Sequence, residues 1–281
     1  MPLYKELYFG PAGIPHSTPR KSTADGVKEV RSLSLDAMEI EFVYGVNLRP
    51  EAAEKVRKIA EKEEVRLSVH APYYINLNAQ DEKKMVASKR RIVDSAIVGS
   101  LAGAHSIVFH PGFYLKMEKS RVYKNIKKTL EEVVEMVKER GVEVILRPET
   151  TGKHTQFGSL EELFSLSSEI EGVLPCLDFS HLHARAGGRV NSYEEFCTIL
   201  SSYESHLQKE SLKNMHIHVS GIEYTDKGEK NHLNLRDSDF KYFELIKALK
   251  EFECAGLVIS ESPNLEEDAL LLKKIYKEMR E

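Results

Sequence analysis

The stretch "LPCLDFSHLHARAGG" (174–188) opens as a buried strand and closes in chemistry. Its apolar start is followed at once by Asp178, His181 and His183, and then by a basic loop containing glycine. A short apolar run bounded by turn residues reads as a strand covered on both faces, the usual state in a parallel sheet. Polar residues at the C-terminal end of such a strand lie where α/β folds build their sites.

The same pattern repeats along the chain. Strand-like runs are "LYFG" (7–10), "AMEIEFV" (37–43), "RLSVHA" (66–71), "SIVFHP" (106–111), "EVILRPE" (143–149), "VLPCLDF" (173–179), "MHIHVS" (215–220) and "GLVISE" (256–261). Charged stretches with helical spacing separate them, among them "NIKKTLEEVVEMVKER" (125–140) and "FKYFELIKALKEF" (240–252). Eight β-then-α units in 281 residues predict one α/β domain, a (β/α)8 TIM barrel spanning residues 1–281. The segment 220–239 shows no pattern and reads as a long functional loop.

Composition narrows the class. Hydrophobic residues make up 41% and charged residues 30%, which suits a chain with a sizeable core. No apolar run approaches the ~20 residues needed to span a bilayer, and "MPLYKELYFG" has no secretory core, so the expected location is cytoplasmic. Three scattered cysteines exclude a disulfide framework or a Cys-x-x-Cys zinc site. A net charge of −4 provides no global field for nucleic acid, although a local basic face would suffice.

Polar residues gather at the strand ends. His70, His110, Glu149, Asp178 and Glu261 end their strands, His216 and His218 sit on the seventh, and His181, His183 and His232 lie in the loops that follow. In a barrel these ends converge on one mouth. Seven of the eleven histidines fall there. A single such histidine is more often a hydrogen-bonded rim residue, and His16, His105, His154 and His206 are read that way. The accumulation with three carboxylates favours a metal centre, with zinc leading and manganese or iron next. There are more donors than one ion needs, and Glu149 with Asp178 would serve two ions about 3.5–4 Å apart. Tyr73 and Tyr74 follow His70 directly and either stack on bases or pack on their own loop. Lys116, Lys119, Arg121, Lys153, Arg185, Arg189, Lys227 and Lys230 are the basic residues near the mouth, with Arg185 the substrate-binding candidate.

"VHAPYYINL", "KMVASKRRIVDSA", "VFHPG", "PETTG", "LDFSH", "MHIHVSG" and "SESP" occur in an order and spacing that resemble the endonuclease IV family, zinc-dependent (β/α)8 enzymes that cleave DNA at abasic sites. The resemblance runs from about residue 66 to 262. It implies two or three zinc ions and damaged duplex DNA as partner, with no membrane and no protein partner. Carried over, His70 and His110 hold one ion with Glu149, which bridges to a second ion on Asp178, a seventh-strand histidine and Glu261. His181 and His232 hold a third. Glu149 and Glu261 are the catalytic candidates, and Tyr73 and Tyr74 match the loop that enters DNA.

Three positions depart from the family pattern. Lys230 stands where an Asp is expected two residues before His232, and Glu229 is one residue further away. The seventh strand offers both His216 and His218 on one face; the ungapped match favours His216, the spacing to His232 admits His218. Arg147-Pro148 precedes Glu149. Two alternatives stand beside the nuclease: a sugar isomerase or epimerase of the same barrel superfamily, which needs only Glu149, Asp178, a seventh-strand His and Glu261, and a non-catalytic metal-containing protein that binds nucleic acid.

Overall fold

The computed structural model describes residues 4–279. Eight strands form the framework: β1 (Leu7–Pro11), β2 (Ala37–Glu41), β3 (Arg66–His70), β4 (Ser106–Phe109), β5 (Ile145–Pro148), β6 (Cys176–Asp178), β7 (Met215–Val219) and β8 (Gly256–Ser260). Helices α1 (Thr23–Ser32), α2 (Pro50–Glu63), α3 (Glu82–Leu101), α4 (Lys119–Lys138) and α5 (Leu160–Glu169) follow the first five strands. α6 (Phe179–Arg185) and α7 (Tyr193–Leu207) follow β6, and α8 (Tyr242–Glu251) and α9 (Glu266–Glu278) follow β7 and β8.

All framework pairings are parallel, in two arcs ordered β1-β8-β7-β6 and β2-β3-β4-β5. The arcs meet at both seams: Ala12 bridges Glu39, and Glu149 bridges Cys176. The sheet thus closes into a TIM barrel of one domain. None of the described helices is long and apolar enough to cross a membrane.

Side-chain alternation sorts the residues. Met38, Ile40, Leu67, Val69, Ile107, Phe109, Leu146 and Ile217 face outward and pack on helix residues such as Val27, Val56, Ile92 and Leu130 in one continuous core. Inside the barrel Ala37, Leu257 and Ile259, with Tyr4, Tyr8 and Ala12, form a separate apolar group. Val108 and Ile145 also face inward, and they share the lumen with polar residues. Ser68 Oγ donates to Glu39 at 2.7 Å, and Arg147 donates to Ser106 Oγ, Pro175 O and both oxygens of Asn214. Arg147-Pro148 therefore marks a guanidinium buried in the lumen below Glu149.

Local signals set the helix ends. Ser159 with Glu162, and Ser192 with Glu195, form capping boxes that start α5 and α7. α4 starts at Lys119 rather than 125, because the Glu118 carboxylate accepts from the backbone N–H groups of Ser120 and Arg121. The segment expected to be a patternless loop is instead a β-hairpin, Gly221–Thr225 paired antiparallel with Gly228–Leu233. Its strands are polar, so no apolar period announces them.

Gly10 is where β1 meets β2. A Cβ there would lie 1.7 Å from the carbonyl oxygen of Ala37, a backbone atom that cannot swing away. Gly10→Ala is expected to lower stability by about 3 kcal/mol or more, as overpacking against backbone does. A thermal melt within a degree or two of wild type would refute this close approach.

Candidate metal centre

The strand ends do converge. The register of β2, β3 and β4 places Glu41, His70 and then His110 around the mouth, and β5 to β8 continue the ring with Glu149, Asp178, His218 and Glu261. Glu149 is fully buried at its centre. Its Oε2 lies 2.9 Å from His110 Nε2 and 3.2 Å from His70 Nε2. Its Oε1 lies 3.3 Å from His181 Nδ1 and 3.4 Å from His218 Nδ1, with no hydrogen-bond partner. Asp178 also has one oxygen without a partner, Oδ2; its Oδ1 accepts the His181 N–H at 2.7 Å and starts α6.

The imidazoles are held from behind, so their free nitrogens face inward. His70 Nδ1 is 2.8 Å from Ala71 O, His181 Nδ1 is 2.9 Å from Thr150 O, and His232 Nδ1 is 3.2 Å from Glu261 O. Carbonyl oxygens only accept, so each of these nitrogens donates its N–H, which turns Nε2 toward the cluster. Such outer partners fix the ring orientation of metal-binding histidines. As a result His181 Nε2 and His232 Nε2 point at each other across 3.3 Å. Two lone pairs at that distance repel unless a proton or cation lies between them.

The electrostatics agree. Burial opposes charge on His70, yet Glu149, Glu41 and Glu39 raise it to about 10. Burial likewise opposes charge on His218, but Cys176, Glu261, Glu39 and Glu149 carry it well above the ordinary histidine value. Burial raises Asp178 to about 6, and Glu261, against its own burial, is drawn down to about 2 mainly by His218. Burial and the neighbouring acids push Glu41 up to about 8. Buried carboxylates and imidazoles thus hold one another's charge.

Donor atoms fall into groups whose members lie within 4.8 Å of one another: His70, His110 and Glu149; Glu149, Asp178, His218 and Glu261; and His181, His232 and Glu261. Nitrogen and carboxylate oxygen donors with orphaned buried atoms fit borderline divalent ions such as zinc. Glu149 belongs to two of the groups and is placed to bridge.

Several expectations need correction. His218, not His216, joins Glu149 and Glu261; His216 lies deeper, with Nε2 3.0 Å from Glu39 Oε2. Burial, with help from the charges of His218 and Arg147, lowers His216 to about 4 and keeps it neutral. Arg185 is not free for substrate: it donates to Thr151, Lys153 and Gln156 and ties down the loop after β5. His183 is turned away, with its nitrogens 3.1 Å from Val190 O and from Asp239 Oδ1.

Glu229 does reach the centre. Its Oε2 is 3.5 Å from His181 Nε2 and its Oε1 is 4.0 Å from His232 Nε2. The cause is a bulge. Glu223 pairs with Asn231 but Tyr224 pairs with Glu229, so Lys230 is the extra residue. The extra residue inverts the alternation beyond it and puts Glu229 on the His232 face. Lys230 points out and pairs with Glu223 at 2.6 Å. Gly152 makes room, since a Cβ there would lie 2.6 Å from Glu229 Cβ.

A cleft of ≈ 360 Å³ opens above the cluster, with Tyr73, Phe113, Lys153 and Gln156 in its wall. Tyr73 is 50% exposed, and its ring centroid lies 5.7 Å from His70 and 6.3 Å from His110. Tyr74, 61% exposed, stacks at 6.4 Å on Tyr44, 76% exposed, which sequence reasoning overlooked. Glu39 and Glu41 were overlooked as well.

Residues 27–279 match the xylose isomerase-like TIM barrel family, and the chain belongs to it. A relative in Methanocaldococcus jannaschii, an uncharacterized protein, is 46% identical over 97% of this chain and 98% of its own length. A protein of Mycoplasma genitalium named "Probable endonuclease 4" is 26% identical over 75% of this chain and 71% of its own. Among solved structures, a D-tagatose 3-epimerase-like protein superposes with a TM-score of 0.73 at 21% identity, covering 96% of each chain. Endonuclease IV from Thermus thermophilus superposes at 0.70 and 20% identity, covering 98% of each. At these identities the two structures share the fold.

Glu229→Ala is expected to lower metal content by about one ion per chain, whereas Lys230→Ala leaves it unchanged. Elemental analysis of the zinc-reconstituted variants decides. Equal metal content in Glu229→Ala and wild type would remove Glu229 from the ligand set.

Proposed function

We propose that this protein is a zinc-dependent phosphodiesterase that cleaves DNA at abasic sites. The observation that carries this reading is the third donor group. His181 and His232 gather beside Glu261, and the bulge at Lys230 brings Glu229 to them. A one- or two-ion sugar epimerase is served by Glu149, Asp178, His218 and Glu261 and has no need of them.

Bound cations would supply charge neutralisation at the phosphate and acidify water at neutral pH. The chain's own groups do the rest. Glu149 presents one oxygen to each of two donor groups and keeps them at fixed spacing. The Glu261 carboxylate, 3.3 Å from His218 Nδ1 and at the edge of the cleft, is placed to take a proton from the attacking water. Lys153 offers an ammonium in the cleft wall to a phosphate. Tyr73 stands over His70 and His110 beside the open side, where a displaced base or the abasic sugar would lie. Tyr74 and Tyr44 form a flat aromatic surface on the rim that suits base stacking.

The epimerase reading has one structural support, the superposition on the D-tagatose 3-epimerase-like protein. A single experiment separates the two. Zinc-reconstituted protein is incubated with a duplex bearing one abasic site and, separately, with D-tagatose. Incision at the site, abolished by chelator, with unchanged ketose is the expected result. Ketose epimerisation with intact duplex overturns the proposal.

Two variants probe the roles. Glu149→Gln is expected to lose at least one ion and to reduce incision by more than the ~10–100-fold carried by outer partners of a metal site. Full activity and metal content would exclude bridging. Tyr73→Ala with Tyr74→Ala is expected to weaken abasic-duplex binding about tenfold or more at fixed salt, from ~1–3 kcal/mol per stacked base. Unchanged affinity would return both rings to loop packing.

A further inference from the structure

The hairpin that carries His232 and the loop after β8 that carries Glu261 meet a second time, away from the donor cluster. Asp268, in the first turn of α9 and only 3% exposed, stands between them. Its Oδ2 accepts the Leu235 N–H at 2.7 Å, and its Oδ1 accepts from Asn264 Nδ2 at 3.1 Å. A further bond joins the two segments directly, from Asn264 N–H to Asn234 Oδ1 at 3.1 Å. Leu235 lies three residues beyond His232, and Asn264 lies three residues beyond Glu261. One carboxylate thus spans two segments at the same remove from a donor on each.

We infer that Asp268 is a positioning residue that brackets the chain after His232 to the chain after Glu261 and so sets the separation of these two donors. At the cluster itself their one hydrogen bond is His232 Nδ1 to Glu261 O at 3.2 Å, and the His232 ring is partly exposed. The bracket is better protected. Leu235 is fully buried, so its N–H has no water to turn to if Asp268 is lost, and the segment has to move.

The neighbouring groups set Asp268 apart from an ordinary helix-end acid. A helix N-terminus is served by an exposed carboxylate, as Glu267 is here. A buried one bears the cost of leaving water, offset in this case by donors from two other segments. Glu266, also buried, fastens the same turn on its other side by accepting the N–H groups of His16 and Ser17 at 2.9 Å each. Between these two anchors Leu265 holds φ 44°, a left-handed backbone that a leucine adopts only where its surroundings impose it. Glu266 thus ties the Glu261 loop to the loop after β1, and Asp268 ties it to the hairpin.

The consequence for metal rests on the reading that the His181, His232 and Glu261 group binds an ion; the bracket does not. The test uses the full chain. Amide hydrogen exchange of the metal-free protein is expected to show residues 232–235 protected in wild type and exchanging about tenfold faster or more in Asp268→Ala, with β3 to β5 unchanged. Asp268→Asn is expected to stay near wild type. Its oxygen can accept from Leu235, and its amide can donate to Asn264 Oδ1, which has no partner among the described residues, once the Asn264 amide turns over. Asn264→Ala removes one arm and is expected to move exchange in the same direction as Asp268→Ala. In zinc-reconstituted protein Asp268→Ala is expected to lose about one ion per chain, and Asp268→Asn none. A wild-type Leu235 amide that exchanges as fast as that of Asp226 in the exposed hairpin turn overturns the inference, whether or not any variant folds. So does a folded alanine variant of either residue with wild-type exchange, or folded Asp268→Ala with wild-type zinc content. Asp268→Asn that behaves like Asp268→Ala overturns it as well, as does an Asp268→Ala that loses barrel protection and all ions alike. Wild-type protein that takes up no zinc, yet shows the expected exchange pattern, supports the bracket and overturns the metal reading alone.

Discussion

Glu149 sits out of solvent in the barrel mouth, and imidazole nitrogens approach both of its oxygens. Removing a carboxylate from water is expensive, and the structure offsets it only with groups that carry or attract positive charge. His70, His110, His181 and His218 come from four different strands or their following turns, so their meeting depends on the closed barrel. Seams at Ala12–Glu39 and Glu149–Cys176 complete that closure, and the latter involves the central carboxylate itself. Folding and site assembly are therefore one event at this residue. Any cation that settles between Glu149 and the histidines also stabilises the fold by mass action.

The lumen explains why the mouth can be so rich in charge. In most barrels of this type the interior is filled by branched apolar side chains. Here Ser68, Glu39, His216, Arg147, Ser106 and Asn214 continue the polar column downward. The column places the Glu39 carboxylate 2.8 Å from the rear nitrogen of His218 and Arg147 further down, with neutral His216 beside Glu39. The outer face of the same strands carries the apolar core, so stability and chemistry occupy opposite sides of each strand.

That division also governs what the sequence reveals. The eight strands and the convergence of His70, His110, Glu149, Asp178 and Glu261 follow from period and position. The alternating "AMEIEFV" hides Glu39 and Glu41, because the polar face of an alternating strand ordinarily meets water. In a closed barrel that face is the lumen. His216 and His218 share one face, so spacing along the strand cannot say which lies at the depth of Glu149; only the barrel register settles on His218. Arg185 looked available because its basic loop borders the mouth, yet the neighbouring carbonyls occupy it. The hairpin was illegible because its stability comes from contacts outside its own sequence.

Those contacts separate the third donor group from the other two. An isolated two-stranded hairpin is marginal in water. This one is fastened by Glu229 N–H to Gly152 O at 3.0 Å, and by Tyr224 OH to Asp239, which also contacts His183. Gly152 and Gly228 have no Cβ where their backbones meet, and a Cβ on Gly228 would lie 2.1 Å from Gly152 O. Glu229 and His232 therefore owe their positions to peripheral contacts and to one bulge, whereas His70, His110, Glu149 and His218 owe theirs to the barrel. A change in hairpin length or bulge register would move Glu229 off the His232 face and leave the Glu149 groups in place. In this chain the barrel thus fixes the inner site, and one bulged residue, Lys230, sets whether Glu229 meets His181 and His232.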